Sequence, residues 1–141
     1  MRTIEEELAL HGHGFFQTVG DSMEPLLHNR KSTVVIIEKK APLKRYDVAL
    51  YRRPTGAYVL HRVIKVLKDS YFIRGDNRIK SEQVPAEWVI GVMSGYFEDE
   101  RNQYISCESK IYQQYLRTLK IRYRMLCMRE FYRRIKGKFR R

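Results

Sequence analysis

Ser22, His61 and Asp76 are the residues of this 141-residue chain whose types and order support covalent hydrolysis. Ser22 lies in Gly20-Asp21-Ser22-Met23-Glu24-Pro25, His61 in Leu60-His61-Arg62-Val63-Ile64, and Asp76 in Arg74-Gly75-Asp76-Asn77. A serine hydroxyl is a poor nucleophile until a base removes its proton. Histidine can do so near neutral pH because its unperturbed pKa is about 6.5. A carboxylate such as Asp76 then orients the imidazole, and the Ser22 backbone N–H is placed to hold the oxyanion. The chemistry expected is that of a serine endopeptidase, with activity lost below about pH 6–7 as the base protonates.

The elements that must position these groups are short strands. Thr3 and Glu6 have capping-box spacing, which predicts a short helix over about residues 4–10, stopped by Gly12 and Gly14. Phe15–Val19 reads as a strand running into Ser22, and Thr33–Ile37 is a β-branched run typical of a buried strand. Asp47–Tyr51 and Tyr58–Leu67 flank the Pro54-Thr55-Gly56 turn as a hairpin. In the second of these, alternation puts Val59, His61 and Val63 on one face. Tyr71–Arg74 and Trp88–Met93 follow, with Gly91 a candidate bulge. The fold class expected is mainly β: a coiled, partly open barrel or sandwich with a short N-terminal helix and a basic C-terminal α-helix.

Composition sets the frame for this reading. A chain with 43% hydrophobic and 31% charged residues is globular rather than disordered. No run of about 18 apolar residues is present. Glu5–Glu7 stand where a secretory signal would need basic residues, so a cytoplasmic location is expected, without a signal peptide. Cys107 and Cys127 are the two cysteines. On one continuous helix their 20-residue separation spans roughly 30 Å, too far for a disulfide, so both are expected reduced. His11 and His13 have the look of a ligand pair but lack a second ligand cluster, and no metal or other cofactor is expected.

Charge divides the chain. Residues 107–141 carry 12 Lys/Arg against two Asp/Glu, whereas residues 1–106 carry 16 against 14. We read residues 1–106 as a peptidase-like domain and 107–141 as a basic helical extension. From about Ile111, Tyr112, Leu116, Leu119, Tyr123 and Leu126 form one apolar stripe. Three roles are open to this helix. It can pack on the sheet and be solvated outside, lie on an anionic membrane through residues 111–136, or dock an acidic partner or nucleic acid, the last being disfavoured.

At the three chemical segments the chain resembles the type I signal peptidases, in the superfamily that also holds the self-cleaving SOS repressors. Gly20–Pro25 is similar to the family's nucleophile box. Arg45-Tyr46-Asp47-Val48-Ala49 is similar to its Gly-Asp-Val-Val strand, with Tyr46 in place of the glycine, and His61–Ile64 and Gly75–Asn77 match the last two boxes. The resemblance covers residues 14–95. A histidine where most bacterial members carry lysine is similar to the endoplasmic-reticulum, archaeal and sporulation-type branch, and implies a Ser22–His61 couple. That branch also carries an acid about six positions beyond the Gly-Asp-Asn aspartate, here Glu82, so the resemblance leaves Asp76 and Glu82 both open as the orienting group. It further implies a precursor protein or peptide as substrate, cut after small residues. The family's transmembrane anchor has no counterpart in this sequence. A self-cleaving repressor is disfavoured, since 21 residues before Ser22 are too few for a DNA-binding domain and cleavage segment. The rival reading is a non-catalytic module of the same shape that binds through its basic helix.

Overall fold

Thr3 caps the first helix, α1 (Ile4–His11), as its spacing predicts: the Glu6 amide donates to Thr3 Oγ1 at 3.1 Å and the Thr3 amide to the Glu6 carboxylate at 3.0 Å. Gly12, at φ 75°, ends it in the left-handed conformation that glycine adopts without steric cost. The computed structural model describes residues 1–98 and 103–139. Arg140 and Arg141, the end of the expected basic tail, lie outside them.

Eight strands follow: β1 (His13–Gln17), β2 (Thr33–Glu38), β3 (Val48–Arg52), β4 (Tyr58–Val66), β5 (Ser70–Arg74), β6 (Glu82–Pro85), β7 (Val89–Phe97) and β8 (Tyr104–Ser106). All pair antiparallel in the order β1-β2-β7-β3-β4-β5-β6, with β8 also on β7. Among the described residues the sheet is not closed, and β1, β6 and β8 each pair on one side only and are its edges. The sequence reading lacked β6 and β8, both too short to show a period.

Strand β3 is buried on both faces, which is why Val48–Tyr51 is an unbroken apolar run rather than an alternation. Val48 and Leu50 join Leu8, Met23, Leu27, Ile36 and Met93 in one core; Ala49 and Tyr51 join Val63, Ile73 and Val84 in the other. The register of β7 against β3 slips between Leu50 and Tyr51, next to Gly91, where a bulge was expected.

The C-terminal region is two helices, not one: α2 (Lys110–Arg117), capped by Ser109, and α3 (Leu119–Phe139). Helix α2 buries Tyr112 in the same core as Leu8 and Val48, so core packing continues past residue 106. Helix α3 contributes no buried residue. The cysteine geometry is corrected accordingly: Cys107 follows β8, outside any helix, and only Cys127 is helical. Both are free thiols.

Candidate active site

Two elements bring Ser22 and His61 together. Ser22 opens the turn after β1, where Met23, Leu26 and Leu27 are buried and anchor the loop in the core. Gly20, at φ 93°, turns the chain just ahead of it, and its amide donates to Asn29 Oδ1 at 2.7 Å. His61 comes from β4. Its Nε2 lies 2.9 Å from Ser22 Oγ. These side chains are 39 residues apart in sequence and in hydrogen-bond contact in space.

Burial is the main reason the His61 pKa falls to about 4, and the nearby charges of Arg53 and Arg78 push the same way. The ring is therefore neutral at pH 7, and the acid limit expected near pH 6–7 moves down toward 4. With its proton on Nδ1, Nε2 accepts from the Ser22 hydroxyl, the arrangement that general-base activation requires. Among the described residues no group hydrogen-bonds to Nδ1, and no buried side-chain nitrogen or oxygen lacks a partner, so Nδ1 keeps contact with solvent. The Ser22 N–H likewise has no acceptor among the described residues, which leaves it free for an oxyanion.

Neither expected carboxylate reaches His61. Asp76 is held by Arg62: Arg62 Nε donates to Asp76 Oδ1 at 2.8 Å and Nη2 to Oδ2 at 2.9 Å, with both side chains at most 3% exposed. Tyr115 Oη donates to Asp76 Oδ2 at 2.7 Å, while Arg62 Nη1 donates to the Tyr46 carbonyl at 2.8 Å and to Tyr112 Oη at 2.7 Å. The reason is strand alternation. Consecutive residues point to opposite faces, so His61 meets Ser22 while Arg62 meets α2, and Asp76 follows the buried cation it must neutralise. Glu82 accepts from Arg53 Nη2 at 2.9 Å and from Tyr51 Oη at 2.8 Å. Arg53 holds the Glu82 carboxyl below the usual carboxylate range. Tyr51 stands between Glu82 and His61, its ring meeting the imidazole edge-on at 6.5 Å, and the Glu82 charge acts on His61 without a hydrogen bond.

The Gly75-Asp76-Asn77 segment instead braces the loop that carries Ser22. The Asn77 amide donates to the Ser22 carbonyl at 2.9 Å and its side chain to the Asp21 carbonyl at 3.1 Å. A Cβ at Gly75 would come within 2.6 Å of the Ser22 carbonyl oxygen, so only glycine permits this approach. Tyr46, where the resemblance expects glycine, has φ 78°, in the left-handed region that glycine favours. Asp47 accepts from the Lys44 amide at 2.8 Å, a turn-holding role.

A cavity of about 410 Å³ opens beside the pair, lined by Phe16, Val34, Leu50 and Leu60 and reaching Ser22 and His61. Its walls are mostly apolar. On the opposite side α3 approaches, and Leu126, Arg129 and Glu130 share a second cavity with His61 and Asn77. Sequence reasoning missed Arg53, Arg62, Tyr112 and Tyr115. The available signal was Arg62 itself, an arginine within an apolar strand that demands a partner.

His11 ends α1 and lies 3.6 Å from Glu7, while His13 begins β1. Among the described residues no group of three or more His, Cys, Asp or Glu is arranged to hold a metal ion. No family model matches the chain, and a search of curated proteins likewise returns no match.

Proposed function

We propose that this chain is a serine endopeptidase of the signal-peptidase-like type, working through a Ser22–His61 couple and cutting a leader from a precursor protein or peptide. The observation that carries this reading is the 2.9 Å contact between Ser22 Oγ and a neutral His61 Nε2 at the mouth of an apolar cavity. In this reading Ser22 Oγ attacks the scissile carbonyl carbon and its proton passes to His61 Nε2. The Ser22 N–H receives the oxyanion. His61 returns the proton to the leaving amine, and water then hydrolyses the acyl-enzyme by the same route. Asp76 and Glu82 act by support: Asp76 holds the loop that braces Ser22, and Glu82 fixes Arg53 on the cavity wall. The apolar walls favour small apolar side chains before the cut bond, in keeping with the resemblance to type I signal peptidases.

The test is active-site labelling. A fluorophosphonate probe should modify Ser22, identified by mass spectrometry. Labelling should vanish in Ser22→Ala and fall at least about a hundredfold in His61→Ala, in line with the usual worth of a general base. Equal labelling of the parent and the His61→Ala chain, both folded by circular dichroism, would overturn the couple.

A further inference from the structure

Helix α3 has two apolar faces, one half-buried against the protein and one largely exposed, with Met125 and Met128 of the latter edging a cavity shared with Pro25 and Asn77. Leu119, Tyr123 and Leu126 belong to the stripe read from sequence and are half-buried toward the sheet. A second stripe, Ile121, Met125, Met128, Tyr132 and Phe139, repeats at spacings of 4, 3, 4 and 7, which keeps it on one line of an α-helix. Every member is at least 59% exposed. Lone exposed apolar residues are ordinary, but a continuous stripe along five helical turns marks an interaction surface.

The charges beside the stripe identify its occupant. Helical spacing puts Lys120, Arg124 and Lys138 along one border and Arg129 and Lys136 along the other. Glu130, the one acid in α3, falls on the far side and shares the cavity that holds His61. On the Lys120 border, Arg45 and Arg74 join Lys120 and Arg124 around a further cavity of about 360 Å³. Among the described residues none of these four cations lies within ion-pair distance of a carboxylate. A second copy of this face would set basic border against basic border. A bilayer with anionic headgroups takes the apolar stripe into its acyl boundary and offers phosphates to both borders.

We propose that α3 is a membrane-surface helix that docks the chain on anionic lipid with its outer stripe down. The Ser22–His61 pair lies across the helix from the lipid, about one helix diameter (~10 Å) above it. The docking does not depend on proteolysis, so the two readings can fail separately.

Vesicle flotation with the full chain tests this. The chain should float with phosphatidylcholine vesicles that contain phosphatidylglycerol, and not with phosphatidylcholine alone. Raised salt should weaken the binding. Replacing Met128→Ser together with Tyr132→Ser leaves the charge unchanged and should lower the partition coefficient about tenfold, from the apolar area withdrawn. The same variant should keep the parent's melting curve, because neither side chain is buried. Ser22→Ala should float like the parent. Failure to float with anionic vesicles overturns the proposal, as does equal floating of the double variant, which would mean attraction by charge alone. A parent dimer in sedimentation that the double variant abolishes also overturns it, since a second copy would then cover the stripe.

Discussion

Burial holds His61 neutral with a pKa of about 4, and this sets where acid should act on the site. In a peptide-cleavage assay the acid limb of kcat/KM should have its midpoint near pH 4 rather than at the ordinary histidine value of about 6.5. A midpoint at 6.5 would mean the ring is solvated during turnover. The same shift bears on stability. The unfolded chain takes up the His61 proton at the ordinary value, and the folded chain only near 4. This contribution is therefore whole above about pH 6.5 and is lost as pH falls toward 4. Chemical denaturation of the parent and His61→Gln across that window should show a steeper acid loss in the parent. Tyr46 offers a second residue-scale test. A left-handed non-glycine residue costs about 1 kcal/mol, so Tyr46→Gly should be more stable than Tyr46→Ala by about that amount in urea melts. Comparing the two substitutions cancels the loss of the ring over which Arg45 stacks.

At the scale of elements, one buried ion pair joins β4, the loop after β5 and helix α2. Removing one member of such a pair leaves an uncompensated charge and costs about 3–5 kcal/mol. Asp76→Asn should therefore lower stability by several kcal/mol, read from urea melts. If Asp76 oriented the imidazole, the loss would be catalytic instead, on the order of 10⁴-fold. We expect labelling of Ser22 per folded Asp76→Asn molecule to fall by less than about tenfold, because the His61 contact with Ser22 is made without it. The two outcomes separate a brace from a catalytic acid. Strand alternation also explains why motif order alone does not give the partner of Asp76: His61 and Arg62 are neighbours in sequence and face opposite sides.

For the whole molecule, the division by charge and the division by packing fall at different places. The charge break comes near residue 107, yet Tyr112 and its neighbours in α2 complete the core that Leu8 and Val48 begin. A chain ending after Thr118 should keep a cooperative thermal transition, since α3 buries nothing outright. One ending after Ser106 should lose it, and circular dichroism melts of the two will tell. Among the described residues no helix is long and apolar enough to cross a membrane.

Local patterns determined much of this protein from the amino acids alone. The capping box of α1, six of the eight strands described and the glycines at the turns all follow from preferences that act over a few residues. What only the tertiary structure decided is which charged group meets which. Asp76 was bound to sit at a strand end beside glycine, but its choice of Arg62 over His61 depends on two strand faces and a helix some forty residues later. The outer stripe of α3 was equally invisible, because a sequence with two apolar faces does not say which one the sheet will take. Electrostatic pairing and face selection are settled by what else is buried nearby, and that is a property of the folded chain.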